Sequence, residues 1–239
     1  MSKFALISEI KPSIKETWYN KLFLTFDIDW AHDEIIWDTL EILKEFDTPA
    51  TFFFTHKTKI IDDVVSFGKH EIGIHPNFNQ LLISNQKEQC AKDIIFDLME
   101  IVPNAVSVRS HSTTNSSILC KTFRTFNLTH ECNFFIPDFS GIELKPWKNW
   151  TGMTMVPYFW EDDVACIEKE VTQIGKLIHS RSLKVFDFHP IHVFLNSADL
   201  ELYSSLRNIH KNPIELIKYR NQSYGTRDRL IELLKLGVR

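Results

Sequence analysis

The sequence predicts an α/β fold: a parallel sheet of about seven strands in one domain spanning residues 1–239. Three observations predict it. Short apolar and aromatic runs alternate with longer stretches whose apolar residues recur at helical spacing, the pattern of successive βαβ units. The strand-like runs are continuously hydrophobic rather than alternately polar, as expected of strands covered on both faces. No linker, low-complexity segment or internal repeat divides the chain.

The elements follow in order. "LFLTFDI" reads as the first strand, and "DEIIWDTLEILKEF" as a helix with Ile35, Ile36, Thr39, Leu40 and Leu43 on one face. "ATFFFT" is the second strand, Asp62 to Phe67 a short helical piece, and "EIGIH" the third strand. "QKEQCAKDIIFDLMEI" is a helix closed by Pro103, and "AVSVRS" the fourth strand. "NSSILCKTFRTF" is a helix with Asn115 as its expected N-cap, followed by "LTHECNFF" as the fifth strand. "GMTMVPYF" reads as the sixth strand, "EDDVACIEKEVTQIGKLIHS" as a helix and "LKVFDFHP" as the seventh strand. The C-terminal part reads as helical, ending in "RDRLIELLKLGV".

Composition narrows the function classes. The formal charge of −4 arises from 27 basic and 31 acidic residues with no basic block, which argues against nucleic-acid binding. The four cysteines, Cys90, Cys120, Cys132 and Cys166, form no C-x-x-C pair, so neither a zinc knuckle nor a thioredoxin-like motif is expected. The N-terminal "MSKFALISEIKPSIKE" lacks a signal-peptide core, and no run is long enough to span a membrane. A cytoplasmic protein with free thiols is therefore expected. No glycine-rich loop follows the first strand, which excludes a dinucleotide site. The 19 phenylalanines point to thick packing between layers.

In parallel α/β folds ligands bind at the C-terminal strand ends. There the sequence places Asp27 and Asp29, then Thr55 and His56, then His75, Asn77 and Asn79, then Arg109 and His111, and finally Asp187, His189 and His192. Asp27 and Asp29 are two apart, so on a strand they share a face and repel. A divalent cation on one would offset that repulsion and keep the other ionised. Zinc held by three protein ligands, with one position open, does this chemistry.

These segments resemble the successive motifs of the polysaccharide deacetylases, the NodB-homology carbohydrate esterases. "LTFDID", "TPATFFFT", "HEIGIHPN", "VRSHS" and "FDFHP" occur in that family's order from Leu24 to about Pro190. The resemblance implies a distorted (β/α) barrel, in agreement with the strand count, and removal of acetyl groups from N-acetylated sugars with a divalent metal, commonly zinc. It implies Asp27 as general base, Asp29 and His75 as metal ligands, Arg109 as the group orienting the base, and His189 as general acid. One position departs: Asn79 stands where the family has its second histidine ligand. His111, two residues beyond Arg109, is the expected replacement; a weaker site using Asn79, or a metal-free sugar-binding or scaffold protein on the same fold, are the other outcomes. His70, five residues before His75, falls on the opposite strand face.

Of the aromatic residues from Trp147 to Trp160, Tyr158 and Trp160 are the candidates to face a sugar ring, with core packing as their alternative role. "EDD", Glu161 to Asp163, suits a helix N-terminus, and one of these acids is a candidate to tune His189. A haloacid-dehalogenase-type phosphatase also opens with D-x-D, but it usually has a small or hydroxyl residue where Trp30 stands. By the family analogy, the expected substrate is a small-molecule, nucleotide-linked or lipid-linked amino sugar in surface polysaccharide assembly.

Overall fold

A computed structural model describes residues 3–83, 90–168 and 174–238. Its strands are β1 (Phe4–Ala5), β2 (Leu22–Asp27), β3 (Thr51–Phe54), β4 (Glu71–Ile74), β5 (Ser107–Val108), β6 (His130–Glu131), β7 (Trp147–Lys148), β8 (Thr154–Met155), β9 (Trp160–Glu161) and β10 (Lys184–Phe188). The helices are α1 (Asp33–Glu45), α2 (Ile60–Ser66), α3 (Asn79–Ile83), α4 (Ala91–Ile101), α5 (Ser117–Thr125), α6 (Asp162–Ile167), α7 (Ile174–Leu177), α8 (Pro190–Leu195), α9 (Leu200–Ser205), α10 (Pro213–Leu216) and α11 (Thr226–Gly237).

One sheet carries all ten strands in the order β7-β8-β6-β5-β4-β3-β2-β10-β9, with β1 beside the start of β2. Every pairing is parallel except β7 with β8. Among the described residues the two ends of this order do not pair, so the sheet is a curled, open version of a (β/α) barrel. The seven strands expected from sequence are β2, β3, β4, β5, β6, β8 and β10. The three additions, β1, β7 and β9, are two residues each. β1 holds Leu22 and Phe23 of β2, and β3 takes over the same edge from Thr25 onward.

Phenylalanine fills the space between layers. Phe23, Phe26, Phe52, Phe53, Phe54, Phe186 and Phe188 are all buried in the main cluster. Phe26 stacks on Phe52 at 4.9 Å between ring centroids. Helix α1 covers this core with Ile36, Leu40, Ile42 and Leu43, turns Ile35 to a second cluster, and starts where His32 Nδ1 accepts the Glu34 amide.

Two local expectations change. Ser116, not Asn115, caps α5 by accepting the Leu119 amide, because the Asn115 side chain donates to buried Glu131 instead. Of the helix expected over 161–180, α6 and α7 are its described parts, and 169–173 lies outside the described residues. The start of the expected helix at 86–101 likewise lies outside them up to Gln89, and α4 begins at Ala91.

Candidate active site

Successive strand ends bring three metal-type donors together. The Ile28 amide donates to Phe53, the His75 amide to Phe54, the Arg109 amide to Ile74 and the His111 amide to Pro76. Ladder-like bonding thus continues past the strands and sets His111 beside His75. Asp29 lies beyond β2, where Asp29 (φ 38°) and Trp30 (φ 57°) both adopt left-handed backbone, unusual for a bulky indole residue. Asp29 Oδ1 ends 3.2 Å from His75 Nε2 and 3.0 Å from His111 Nδ1, and the two imidazole nitrogens are 3.3 Å apart. Four ligands at about 2.0–2.1 Å around tetrahedral zinc stand roughly 3.3 Å from one another. The triangle therefore fits one face of such a tetrahedron and leaves a fourth corner free. Burial would raise the Asp29 pKa, but hydrogen bonds from His111 and His75 and the charge of His189 hold it far below the usual carboxylate range. The same bond with Asp29 raises His111 against the effect of its burial. The Asn79 side-chain amide donates to Ser112 Oγ at 3.1 Å.

Asp27 lies deeper and is buried. Its Oδ1 accepts from Arg109 Nη1 at 3.0 Å, and its Oδ2 is 3.6 Å from His75 Nδ1, a nitrogen with no hydrogen bond of its own. An imidazole that offers Nε2 to a metal carries its proton on Nδ1, the atom turned toward Asp27. Arg109 is wholly buried between the rings of Phe53 and Tyr158. It donates through Nη1 to Thr25, Asp27 and Asp187 and through Nε to the Cys132 carbonyl. Burial and the Asp27 charge push the Asp187 carboxyl up despite Arg109 beside it, while two acids keep the guanidinium charged.

His189 opens α8 after β10 and is fixed from the opposite side of the barrel. Its Nδ1 lies 2.7 Å from Asp162 Oδ1, and its backbone amide donates to Asp162 Oδ2 at 2.8 Å. Nε2 therefore faces Asp29 Oδ2, at 3.7 Å. Burial alone would lower the imidazole pKa, but Asp162, Asp163 and Asp29 together raise it well above the ordinary value. Asp163 is in turn paired with His192 at 2.7 Å.

Asp27, Asp29, His75, Arg109, His111 and His189 thus gather at one rim, while the Asn79 amide is bonded to Ser112. Tyr158 and Trp160 do not line that rim. Tyr158 is 1% exposed beneath Arg109, and Trp160 is 5% exposed against Phe186 and Phe188, so both are core residues. The aromatic side chain that does border the site is Trp30, 39% exposed with its ring 5.1 Å from that of His111. In the sequence Trp30 counts only against a phosphatase, because the left-handed backbone that sets its ring beside His111 leaves no periodic signal. Asp187 was visible only as a strand-end acid, and its burial against Arg109 is a long-range contact that no local pattern signals.

A family model described as "WbmS-like: Polysaccharide deacetylase" matches residues 24–207. No curated protein matches the chain. Among solved structures the chain is similar to a "putative polysaccharide deacetylase involved in o-antigen biosynthesis" from Bordetella bronchiseptica, with 40% identity, 98% of each chain covered and a TM-score of 0.93. It shares a fold with another "putative polysaccharide deacetylase", from Mycobacterium smegmatis, with 16% identity over 90% of this chain and 89% of that one and a TM-score of 0.51. With the family model spanning most of the barrel and one solved structure matching nearly end to end, the chain belongs to the WbmS-like polysaccharide deacetylase family.

Proposed function

We propose that this chain is a metal-dependent deacetylase that hydrolyses the N-acetyl amide of an amino sugar during surface polysaccharide assembly in the cytoplasm. Family membership sets the phosphatase alternative aside. The name of the Bordetella bronchiseptica relative supports the polysaccharide context. The observation that carries the chemistry is the triangle of Asp29 Oδ1, His75 Nε2 and His111 Nδ1, faced by His189 Nε2. These three residues would hold a divalent cation, zinc being the best match to a set with two imidazoles. When bound, such a cation supplies Lewis acidity toward the amide carbonyl and a water of lowered pKa.

The chain's own groups supply the proton transfers. Asp27, oriented by Arg109, is the general base: it takes a proton from the water whose oxygen forms the new bond to the acetyl carbon. Its position next to the Nδ1 atom of His75 also fixes that ring's tautomer. His189, with Nδ1 held by Asp162, delivers the Nε2 proton to the amide nitrogen as the C–N bond breaks, giving acetate and a free amine. Burial of Asp27, His75 and His189 keeps bulk water from short-circuiting these transfers.

Acetate release from a panel of N-acetylated amino sugars tests the reading, with metal content measured alongside. Asp27→Asn is expected to keep the metal and lose turnover, and Asp29→Asn to lose both. Full turnover by either variant, or by chelator-treated protein, would refute the assignment.

A further inference from the structure

A cleft of about 280 Å³ opens directly beside the reacting groups, with Asp29 and His189 on its floor, Trp30 and Tyr203 as walls, and Arg207 and Lys211 at its mouth. That volume is near the lower end for small-molecule sites, roughly 300 Å³ upward, and suits one sugar ring rather than a long polymer. The charges inside the cleft are already paired. Asp29 meets His75 and His111, Asp163 meets His192, and His189 meets Asp162. The two cations at the mouth are not: among the described residues neither Arg207 nor Lys211 has a hydrogen-bond or ion-pair partner.

Their backbone is well anchored. Leu206, just before Arg207, and Leu216 are buried in a cluster with Ile35, Ile191, Phe194 and Leu195. Pro213, two residues after Lys211, is buried as well. The Tyr203 ring packs against His192 at 4.7 Å and against His210 at 4.4 Å, which fixes the turn Arg207–Ile209 over the cleft. Both side chains are exposed where they line the cleft. The chain has 31 acidic residues against 27 basic ones, yet among the described residues none of the acids is spent on this pair. Two like charges at one opening repel, and an anion between them removes that cost.

We propose that this cleft is a subsite for an anionic group on the sugar substrate, a phosphoryl or a carboxylate, held between Arg207 and Lys211 while Trp30 and Tyr203 flank the ring. The deacetylase reading supplies the ring; the two unpaired cations supply the anion. Arg207 offers a planar fork that suits either oxyanion, and Lys211 a point charge. A neutral N-acetylated polysaccharide leaves both cations without a partner.

The test compares kcat/KM for a neutral N-acetylhexosamine, an N-acetylhexosamine 1-phosphate and an N-acetylhexosaminuronate in the wild type and in Arg207→Glu/Lys211→Glu. One or both anionic sugars are expected to be preferred, through KM, by roughly tenfold or more, the scale of a single charge-assisted hydrogen bond. The double variant is expected to abolish that preference, whereas Lys92→Glu/Lys235→Glu, an equal change of charge elsewhere, keeps it. Preference for the 1-phosphate identifies a phosphoryl subsite, and preference for the uronate a carboxylate subsite. Calorimetry with inorganic pyrophosphate and with glucuronate, on chelator-treated protein so that no bound cation holds the anion, gives a readout independent of catalysis. If no sugar is turned over but the wild type binds one of these anions and the double variant does not, the deacetylase reading fails and the subsite stands. If sugars are deacetylated without regard to charge and neither anion binds, the subsite is overturned and the deacetylase reading stands.

Discussion

Asp162→Asn is the sharpest probe of the proton donor. Asp162 is fully buried, and both its oxygens accept from His189, one from Nδ1 at 2.7 Å and one from the backbone amide at 2.8 Å. Asparagine keeps the shape but has one acceptor and one donor, so it must lose one of the two bonds and all of the charge. An opposite charge in contact shifts a pKa by about 1–3 units. Asp163 and Asp29 stay in place to hold the imidazole up, so the lower part of that range, about 1–2 units, is expected.

The folded-state pKa of His189 lies above its unfolded value of about 6.5. Its stabilising contribution is therefore fully present below pH ~6.5 and is lost as the pH rises through the folded pKa. At about 1.36 kcal/mol per unit, the variant is expected to be less stable by roughly 1.4–2.7 kcal/mol at pH 6, a gap that narrows once the wild-type imidazole deprotonates. The alkaline limb of the pH–rate profile is expected to move to lower pH by the same 1–2 units. Urea denaturation across pH, NMR titration of the His189 ring and the pH–rate profile measure these three consequences. An equal stability deficit at low and high pH, with the alkaline limb unmoved, shows that Asp162 does not hold His189 protonated.

Other perturbations separate the remaining roles. His111→Ala is expected to lower zinc stoichiometry, because His111 is part of the donor triangle, and Asn79→Ala to leave it intact, because the Asn79 amide is bonded to Ser112; plasma emission spectrometry on the purified variants decides between them. Arg109→Met leaves the buried Asp27 and Asp187 without their shared cation and is expected to destabilise by about 3–5 kcal/mol in chemical denaturation. Gly73→Ala would place a Cβ 2.6 Å from both the Phe53 ring and Ser107 Oγ, two residues before His75. A cost of about 1–3 kcal/mol and weakened metal binding are expected, read by thermal melts and metal titration.

Periodicity made the barrel legible because its signals are local. The seven runs read as strands contain β2, β3, β4, β5, β6, β8 and β10, and helix α1 buries the face that the spacing of Ile35, Ile36, Thr39, Leu40 and Leu43 predicts. The rim residues were legible for a related reason: a parallel sheet sends every strand the same way, so the polar residues following each strand collect together. What stayed hidden depends on partners far apart in sequence or on side-chain direction. Ser116 displaced Asn115 as a cap only because Glu131, on another strand, claims the asparagine amide. Tyr158 and Trp160 look like rim aromatics in the sequence, yet Arg109 and the phenylalanines of β10 draw them into the core.

The D-x-D pair adopts a geometry that strand alternation does not foresee. Strand alternation puts Asp27 and Asp29 on one face, where they would repel, and a cation was invoked to reconcile them. In the structure β2 ends at Asp27, and the left-handed backbone at Asp29 and Trp30 turns the second acid away from the strand. His75 stands between the two carboxylates, with Nδ1 toward Asp27 and Nε2 toward Asp29. One carboxylate is thereby assigned to Arg109 and the other to the histidine pair, and the two acids have separate counter-charges before any ion arrives. In the proposed mechanism a cation would then serve the reaction rather than relieve repulsion. Left-handed backbone at Trp30 costs on the order of 1–3 kcal/mol, and it sets the indole at the cleft wall beside His111. A single turn after the first long strand thus separates the proposed base from the proposed metal ligand and supplies the surface against which a sugar would lie.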